Sequence, residues 1–545
     1  MMELDNLGLE FKIMKLGKYE EYLSDLFSDR SLFMPGQDLN SNLQMKFSIT
    51  PDNARKIVQR AVSNGIIRSS APITFGKKQY VYFNVQSQLS KRTVTIICKK
   101  FRPPLYRLIS LIDIGGGITS YYEALKITAS PLENSKTKVN TLDELLAVLK
   151  DLELVEDVTD KVSGIKYIID FQYQEESESL MAKHFSKMNL DSLFIPDILS
   201  WLKKHNLIDN NNVLYRNKST PSRGAKQNNL VWDAVSYTRT TGLGSENYKE
   251  SDTDKKTLVV LDVVINRPYS EIDLQGFYSR IQMVLSSVKT GKRKILPIVV
   301  FQETSDSVLA KLNGLGFLNI NLGTIYGEKI YETINRLKII KSEQLSSIVS
   351  GEDLVQNIEV VLSTLRDTGQ ETNLGNLKGD LFEALLYPLL KQLYPGSELE
   401  QGKLLTEHKD NNEKEYYEYD FILRSSAYSE FVIVEAKGYK STRIIKLGDK
   451  NTKNTLKWFF EKTLPFAKRQ YKKGNTLDNY QVKGSYITTA KFEESALDWM
   501  EKLKDSKIKP SQMDIFYDGD GLIKLLEMKG LKKVKEILKK YYLES

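Results

Sequence analysis

The amino-acid sequence predicts a multidomain protein of mixed α/β and α+β class, and three observations lead there. At 545 residues the chain is too long for one core, because single cores rarely grow past roughly 250 to 300 residues, so three or four domains are expected. The N-terminal third shows helical stripes followed by short strand-like patterns, and it does so in two places. The remainder carries, again in two places, the order strand, strand, helix, strand that builds a mixed sheet covered by helices. The boundaries that these patterns suggest are 1–100, 101–170, 171–340, a helical linker over 341–376, and 377–545.

Composition narrows the function classes. Lys+Arg 78 against Asp+Glu 70 gives a net charge of +8, which permits an anionic partner without demanding one. The single cysteine, Cys98, excludes a disulfide framework and fits a reducing cytoplasm. With His184, His205 and His408 as the histidines, neither a structural zinc site nor a histidine-dependent phosphodiesterase site has enough material. The sequence shows no signal peptide and no apolar run near the ~18 residues that a membrane span needs, so a cytoplasmic protein without membrane contact is expected. It also lacks the glycine-lysine loop of a nucleotide-driven motor.

Residues 1 to 45 give a helix around Lys18 to Phe27 and then a loop rich in Asp and Asn. From Lys46 the pattern sharpens: Thr50 caps a helix with Pro51 at its first position, Ala54, Ile57, Val58 and Val62 form its apolar face, and Asn64-Gly65 ends it. Strands over Gly65 to Arg68 and Gln79 to Phe83, joined through Gly76-Lys77-Lys78, complete a unit that resembles a winged helix. Its basic side carries Arg55, Lys56, Arg60 and Arg68, with Lys77 and Lys78 on the wing. The resemblance implies DNA contact there, the alternative being a domain that packs against protein only. Between Pro103 and Asp170 the pattern recurs. Tyr106, Ile109, Leu111 and Ile112 precede Gly115-Gly116-Gly117, a helix follows through Tyr121 to Leu125, Thr141 and Glu144 form a capping box, and Ile165 to Ile169 is a strand. This too resembles a winged helix, and the triple glycine reads as a turn between helices.

The third region passes an Asn- and Ser-rich loop at Asn210 to Asn229. It then gives VWDAVSYTRT, LVVLDVVINR, a helix from Asp273 to Ser287, the strand ILPIVVF, a helix near Asp306, and FLNINL. Asp233 and Asp262 are its acidic positions within apolar runs. A linker from Lys341 to Asn376 holds an amphipathic helix, Glu352 to Leu365.

The C-terminal region concentrates the chemistry. In EFVIVEAKGY, from Glu430 to Tyr439, side chains alternate with a period of two, so Glu435 and Lys437 share one face of a strand too apolar to lie on a surface. Asp420 lies in the preceding run YYEYDFIL, which a hairpin through Arg424 to Glu430 would pair with the Glu435 strand. Phe382, Leu385, Leu386, Leu389, Leu390 and Leu393 mark a helical stripe with Glu383 at its margin, able to look inward at the sheet. Two carboxylates plus a third from a helix form an all-oxygen set suited to Mg2+, with Mn2+ as a substitute, and the adjacent ammonium can hold a water or a phosphate oxygen. From Lys437 to Lys473 there are twelve Lys or Arg against Asp449 and Glu461. With Trp458, Phe459, Phe460 and Tyr471 interleaved, that stretch suits a phosphate backbone, and Lys457, Lys468, Arg469 and Lys472 are its DNA-binding candidates.

In the order helix Glu383, strand Asp420, strand Glu435-Ala436-Lys437, the last 170 or so residues resemble the PD-(D/E)xK nucleases, the restriction-endonuclease-like superfamily. Glu418-Tyr419 stands where the motif has its proline. The resemblance implies a mixed sheet flanked by helices, with Asp420, Glu435 and Glu383 on metal and Lys437 serving the nucleophile. Set against it, the third region repeats the element order with Asp233 in the place of Asp420, Asp262 in that of Glu435, and Val264 where the lysine would recur. It reads as a degenerate nuclease-like domain, the alternative being simply another α/β domain with a mixed sheet. The layout is similar to type IIS restriction enzymes and nucleases of antiphage defence. That implies an endonuclease acting on double-stranded DNA, a homodimer during cleavage because one centre cuts one strand, and a methyltransferase or other defence protein as a partner. The rival readings are a DNA-binding regulator or scaffold whose nuclease fold no longer cuts, and an RNA-directed nuclease.

Overall fold

A computed structural model of the chain describes residues 17–75, 79–133, 139–161, 163–209, 213–238, 257–287, 294–345, 351–408, 414–439, 442–473 and 480–544. The fold is mixed α/β with several sheets, and the chain divides into two compact units, Met1–Ser177 and Glu178–Ser545.

The first unit opens with α1 (Lys18–Leu26), β1 (Phe33–Pro35), α2 (Gly36–Phe47), α3 (Pro51–Ser63), β2 (Ile67–Ser69) and β3 (Val81–Asn84), the strands forming a sheet of order β1-β3-β2. The Thr50 hydroxyl accepts the Asn53 N–H and Pro51 occupies the first turn of α3, as its sequence dictates. Ala61, rather than Val62, completes the buried face with Ala54, Ile57 and Val58. The Asp- and Asn-rich stretch read as a loop is in part α2. Leu39 and Leu43, four residues apart, are its buried anchors, and tertiary packing overrides the weak helix preference of its Asn residues. Lys77 and Lys78 lie outside the described residues.

The unit continues with α4 (Lys91–Phe101), α5 (Pro103–Ile114), β4 (Ile118–Ser120), α6 (Tyr121–Thr128), α7 (Leu142–Asp151), β5 (Val155–Thr159) and β6 (Lys166–Asp170), in a sheet of order β4-β6-β5. The Thr141–Glu144 capping box forms at α7. The triple glycine links α5 to β4, so it turns a helix into a strand rather than joining two helices. Gly117 has φ +93, and a Cβ there would lie 2.2 Å from the Tyr173 ring, so no other residue fits.

In the second unit come α8 (Ser177–Leu193), α9 (Ile195–Lys204), β7 (Leu214–Tyr215), a hairpin of β8 (Ala225–Gln227) and β9 (Leu230–Trp232), β10 (Ala234–Thr238), β11 (Thr257–Val264), α10 (Glu271–Ser286), β12 (Ile295–Phe301), α11 (Asp306–Gly314) and β13 (Leu318–Asn321). The helices α12 (Leu322–Tyr326), α13 (Ile330–Leu345), α14 (Gly351–Asp367) and α15 (Gly375–Leu393) lead to β14 (Glu398–His408), β15 (Lys414–Ser425) and β16 (Glu430–Lys437). After these come β17 (Ile444–Ile445), α16 (Leu464–Lys473), β18 (Gln481–Thr488), β19 (Lys491–Phe492), α17 (Glu494–Leu503), β20 (Phe516–Tyr517), α18 (Gly519–Met528) and α19 (Lys532–Leu538).

Two five-stranded sheets organise this unit, β13-β12-β11-β10-β7 and β14-β15-β16-β18-β20. Taken from the β7 end and the β14 end they are the same sheet in outline: two antiparallel pairings, then two parallel ones. They do not stand apart. Val259, Leu261 and Val263 of β11 and Val432, Val434 and Ala436 of β16 belong to one hydrophobic core, filled between them by α9, α13, α14 and α15. The stretch expected as a linker is therefore structural: Leu354, Ile358, Val361 and Leu365 of α14 are all buried in that core. At about 1.5 to 3 kcal/mol for each fully buried large apolar side chain, α14 cannot detach without unravelling its surroundings.

Candidate active site

Four elements bring the C-terminal acids together. Helix α15 starts on a cap from the neighbouring α9: Asp197 accepts the backbone N–H of Asn376 (3.2 Å) and Leu377 (3.2 Å) and the Asn376 side-chain amide (2.8 Å). Two turns along, Leu381, Phe382, Leu385 and Leu386 are buried against the sheets and Glu383 is carried in with them at 6% exposure. The hairpin between β15 and β16 closes with Ser425 opposite Glu430 and pairs as far as Phe421 opposite Val434, which brings Asp420 and Glu435, the next residue on each strand, together where the ladder ends. Asp420 Oδ2 accepts the Ala436 N–H at 2.8 Å and the Lys437 ammonium at 2.9 Å. Lys437 also lies 2.7 Å from Glu435 Oε1, as expected of two residues on one strand face.

Glu383 is held by a residue the sequence did not single out. Lys218, in the loop after β7, donates to both Glu383 oxygens at 2.9 Å and also to Asp380, one turn earlier on α15. Gln401 of β14 reaches the same carboxylate at 3.3 Å. Glu418, two residues before Asp420, is pushed up by burial and feels the charges of Lys218, Asp420 and Lys437. A cavity of about 210 Å³ opens beside Glu383, lined among others by Asn189, Lys218, Tyr387 and Gln401.

The cluster is therefore acid-rich: Asp380, Glu383, Glu418, Asp420 and Glu435 meet the ammoniums of Lys218 and Lys437. Burial pushes Glu383 up to about 8, with Lys218 opposing and Asp420 and Asp380 adding to the rise. Burial likewise pushes Glu435 up to about 7 against the pull of Lys437. Burial works against both ammoniums, yet the surrounding carboxylates outweigh it and hold each well above the ordinary lysine range. Among the described residues no three acidic, histidine or cysteine side chains are preassembled as a shell for one metal ion, since the two ammoniums bridge the acids instead. The donor chemistry nevertheless fits a hard divalent cation, being all-oxygen, mostly buried, and more anionic than its two ammoniums can neutralise.

The other half of the unit holds the same frame with a different filling. Ala234 lies opposite Leu261, and Asp233, in the bend just before β10, donates its N–H to the Leu261 carbonyl while its Oδ2 accepts the Val263 N–H at 2.7 Å, matching Asp420 and Ala436. Here each acid has a guanidinium: Arg216 Nε lies 3.1 Å from Asp233 and Arg280 Nη2 lies 2.8 Å from Asp262. All four side chains are buried, and Val264 occupies the position of Lys437. Arg216 also lies 3.8 Å from the buried Asp191 of α8, whose carboxylate accepts the Ile265 and Asn266 N–H groups, so guanidiniums rather than ammoniums face the acids here.

The basic candidates divide by position. Arg55, Lys56 and Arg60 are exposed on α3, and Lys468, Arg469 and Lys472 are exposed on α16, where Arg469 is 3.7 Å from Glu415. Lys457 is half-buried just before α16. Sequence reasoning found Glu383, Asp420, Glu435 and Lys437, and it missed Lys218, Asp380 and the two arginines. Glu418 had a readable signal in its two-residue spacing from Asp420; Lys218, in the polar loop RNKST, had none. No helix among the described residues is long and apolar enough to cross a membrane. No protein-family model, curated protein or solved structure matches the chain.

Proposed function

We propose that the chain is a Mg2+-dependent DNA endonuclease of restriction or antiphage defence, its C-terminal half a PD-(D/E)xK-type nuclease domain and the preceding half of the same unit a degenerate copy. The observation that carries the reading is the group Asp420, Glu435 and Lys437, clamped at one end of a sheet by the Asp420–Ala436 backbone bond with Glu383 inside the same cluster. Asp420 and Glu435, with Glu383 assisting, would hold the cation, which when bound supplies charge neutralisation at the scissile phosphate and a more acidic water. Lys437 then orients the attacking water and steadies charge on the phosphorus oxygens. The backbone bond to Asp420 holds one carboxylate oxygen in place before substrate arrives. The exposed cations of α16 support a track for the phosphate backbone, and the two helix-and-sheet modules of the first unit, read as winged helices, would choose the site through Arg55, Lys56 and Arg60.

A second reading has one observation in its favour. The arginines against Asp233 and Asp262 support a frame kept without catalysis in that half, and a DNA-binding scaffold is therefore the alternative. Incubating the full-length protein with supercoiled and linear double-stranded DNA, single-stranded DNA and RNA separates them. Cutting of double-stranded DNA that requires Mg2+ or Mn2+ and stops with chelator is expected; binding without cutting of any substrate would favour the scaffold.

A further inference from the structure

We propose that Lys218 is a positioning residue of the C-terminal site, supplied by the half of the unit that has lost its own. The inference rests on the metal-dependent reading above. Lys218 contacts both oxygens of Glu383 and reaches Asp380, with its side chain only 23% exposed. Its loop is pinned on either side. Arg216, two residues earlier, is anchored by the Asp233 carboxylate at 3.1 Å and donates its backbone N–H to the Asp233 carbonyl at 2.8 Å. Asn189 of α8 donates to the Lys218 carbonyl at 3.0 Å, and the Asn217 side chain accepts from Ser219 and from Thr220. The ammonium is thus delivered by a preorganised strap, not by a free surface side chain.

Without that ammonium Glu383 loses its two closest contacts and keeps Gln401 at 3.3 Å, with the cavity beside it leaving room for the side chain to turn away. Lys218 therefore aims the one acid that the helix contributes. This gives the retained acids of the degenerate half a purpose: Asp233 fixes Arg216, and Arg216 roots the strap.

The test is Mn2+ binding to the full-length protein without DNA, followed by the electron paramagnetic resonance signal of free Mn2+. Lys218→Met keeps the stem and removes the charge. It is expected to weaken binding roughly 10- to 100-fold, the range for losing a partner that orients a metal ligand, with the melting temperature little changed. Lys218→Arg should recover most of the affinity. Asn189→Ala, which loosens the strap without touching a charge, should weaken binding in the same direction by a smaller factor and serves if Lys218→Met does not fold. Equal or tighter Mn2+ binding by Lys218→Met would overturn the proposal and make Lys218 a mere competitor for Glu383. A wild-type protein that binds no Mn2+ would instead defeat the nuclease reading, and this proposal with it.

Discussion

Replacing Arg280 by methionine probes the idea that the Asp233–Asp262 half is a nuclease-like frame whose acids are neutralised from within. Arg280 Nη2 donates to Asp262 at 2.8 Å, Nη1 donates to the Val231 carbonyl at 2.7 Å, and the guanidinium lies 4.8 Å from the centre of the Trp232 ring. Asp262 and Arg280 are 2% and 1% exposed, so methionine fills the space but takes the guanidinium away from a buried carboxylate that also accepts the Tyr269 hydroxyl at 3.3 Å. Removing one partner of a buried pair costs about 3 to 5 kcal/mol, far more than the about 0 to 1 kcal/mol of a surface pair. The second substitution, Asp262→Asn, removes the stranded charge and keeps an acceptor for Tyr269, so the double variant should regain more than half of the loss. Urea unfolding followed by circular dichroism gives the comparison, with the slope of the transition checked for constancy. A loss below about 1 kcal/mol for Arg280→Met, or a double variant no more stable than the single one, would refute a matched buried pair.

Three further outcomes follow from the same geometry. Because Glu383 and Glu435 sit at about 8 and about 7 when folded against 4.5 in the unfolded chain, the folded state keeps protons that the unfolded state has released. Their contribution to stability is complete below about 4.5 and is lost as pH rises through 7 to 8, so the metal-free protein should melt several degrees lower near pH 8 than near pH 5.5, and Glu383→Gln with Glu435→Gln should flatten the difference. A melting temperature that rises over that interval contradicts the cluster. Installing Val264→Lys in a Lys437→Met background should restore no cleavage, because Arg216 and Arg280 already occupy both acids; recovered activity would show the second site to be open. Asp197→Ala removes the cap of α15 and should cost about 1 to 2 kcal/mol in the urea midpoint, whereas an unchanged midpoint would deny the cap any role.

The sheet that carries the site was legible because its strands are written in period two. Glu435 and Lys437 interrupt an apolar run at alternate positions, and Glu383 sits at the edge of a leucine stripe, patterns that survive without knowledge of any neighbour. The succession of elements from VWDAVSYTRT to FLNINL in the third region was legible for the same reason. What could not be read depends on contacts between segments far apart in sequence. Lys218 and Glu383 are separated by 165 positions, and nothing about a lysine in a polar loop tells which carboxylate it will meet. Arg216 and Arg280 likewise look like ordinary surface cations until the fold buries them. The linker was misread because amphipathicity shows that a helix has a face to bury without showing what it is buried against, and α14 turned out to fill the core between two sheets. Gly36–Phe47 was misread because its asparagines hid a helix held by two leucines.

If the Asp420, Glu435 and Lys437 group cuts DNA, Lys437→Met should cripple cutting and spare binding. Lys437 touches both acids, at 2.9 Å and 2.7 Å, while the exposed cations assigned to DNA contact lie on α3 and α16. Cleavage of supercoiled DNA with Mg2+ and DNA affinity measured in parallel should therefore separate. Cleavage reduced by about 10² to 10³ is expected, the range for losing one preorganised transition-state contact, with affinity for DNA within a few-fold of wild type. A variant that cuts at the wild-type rate would place the chemistry elsewhere in the chain and contradict the account.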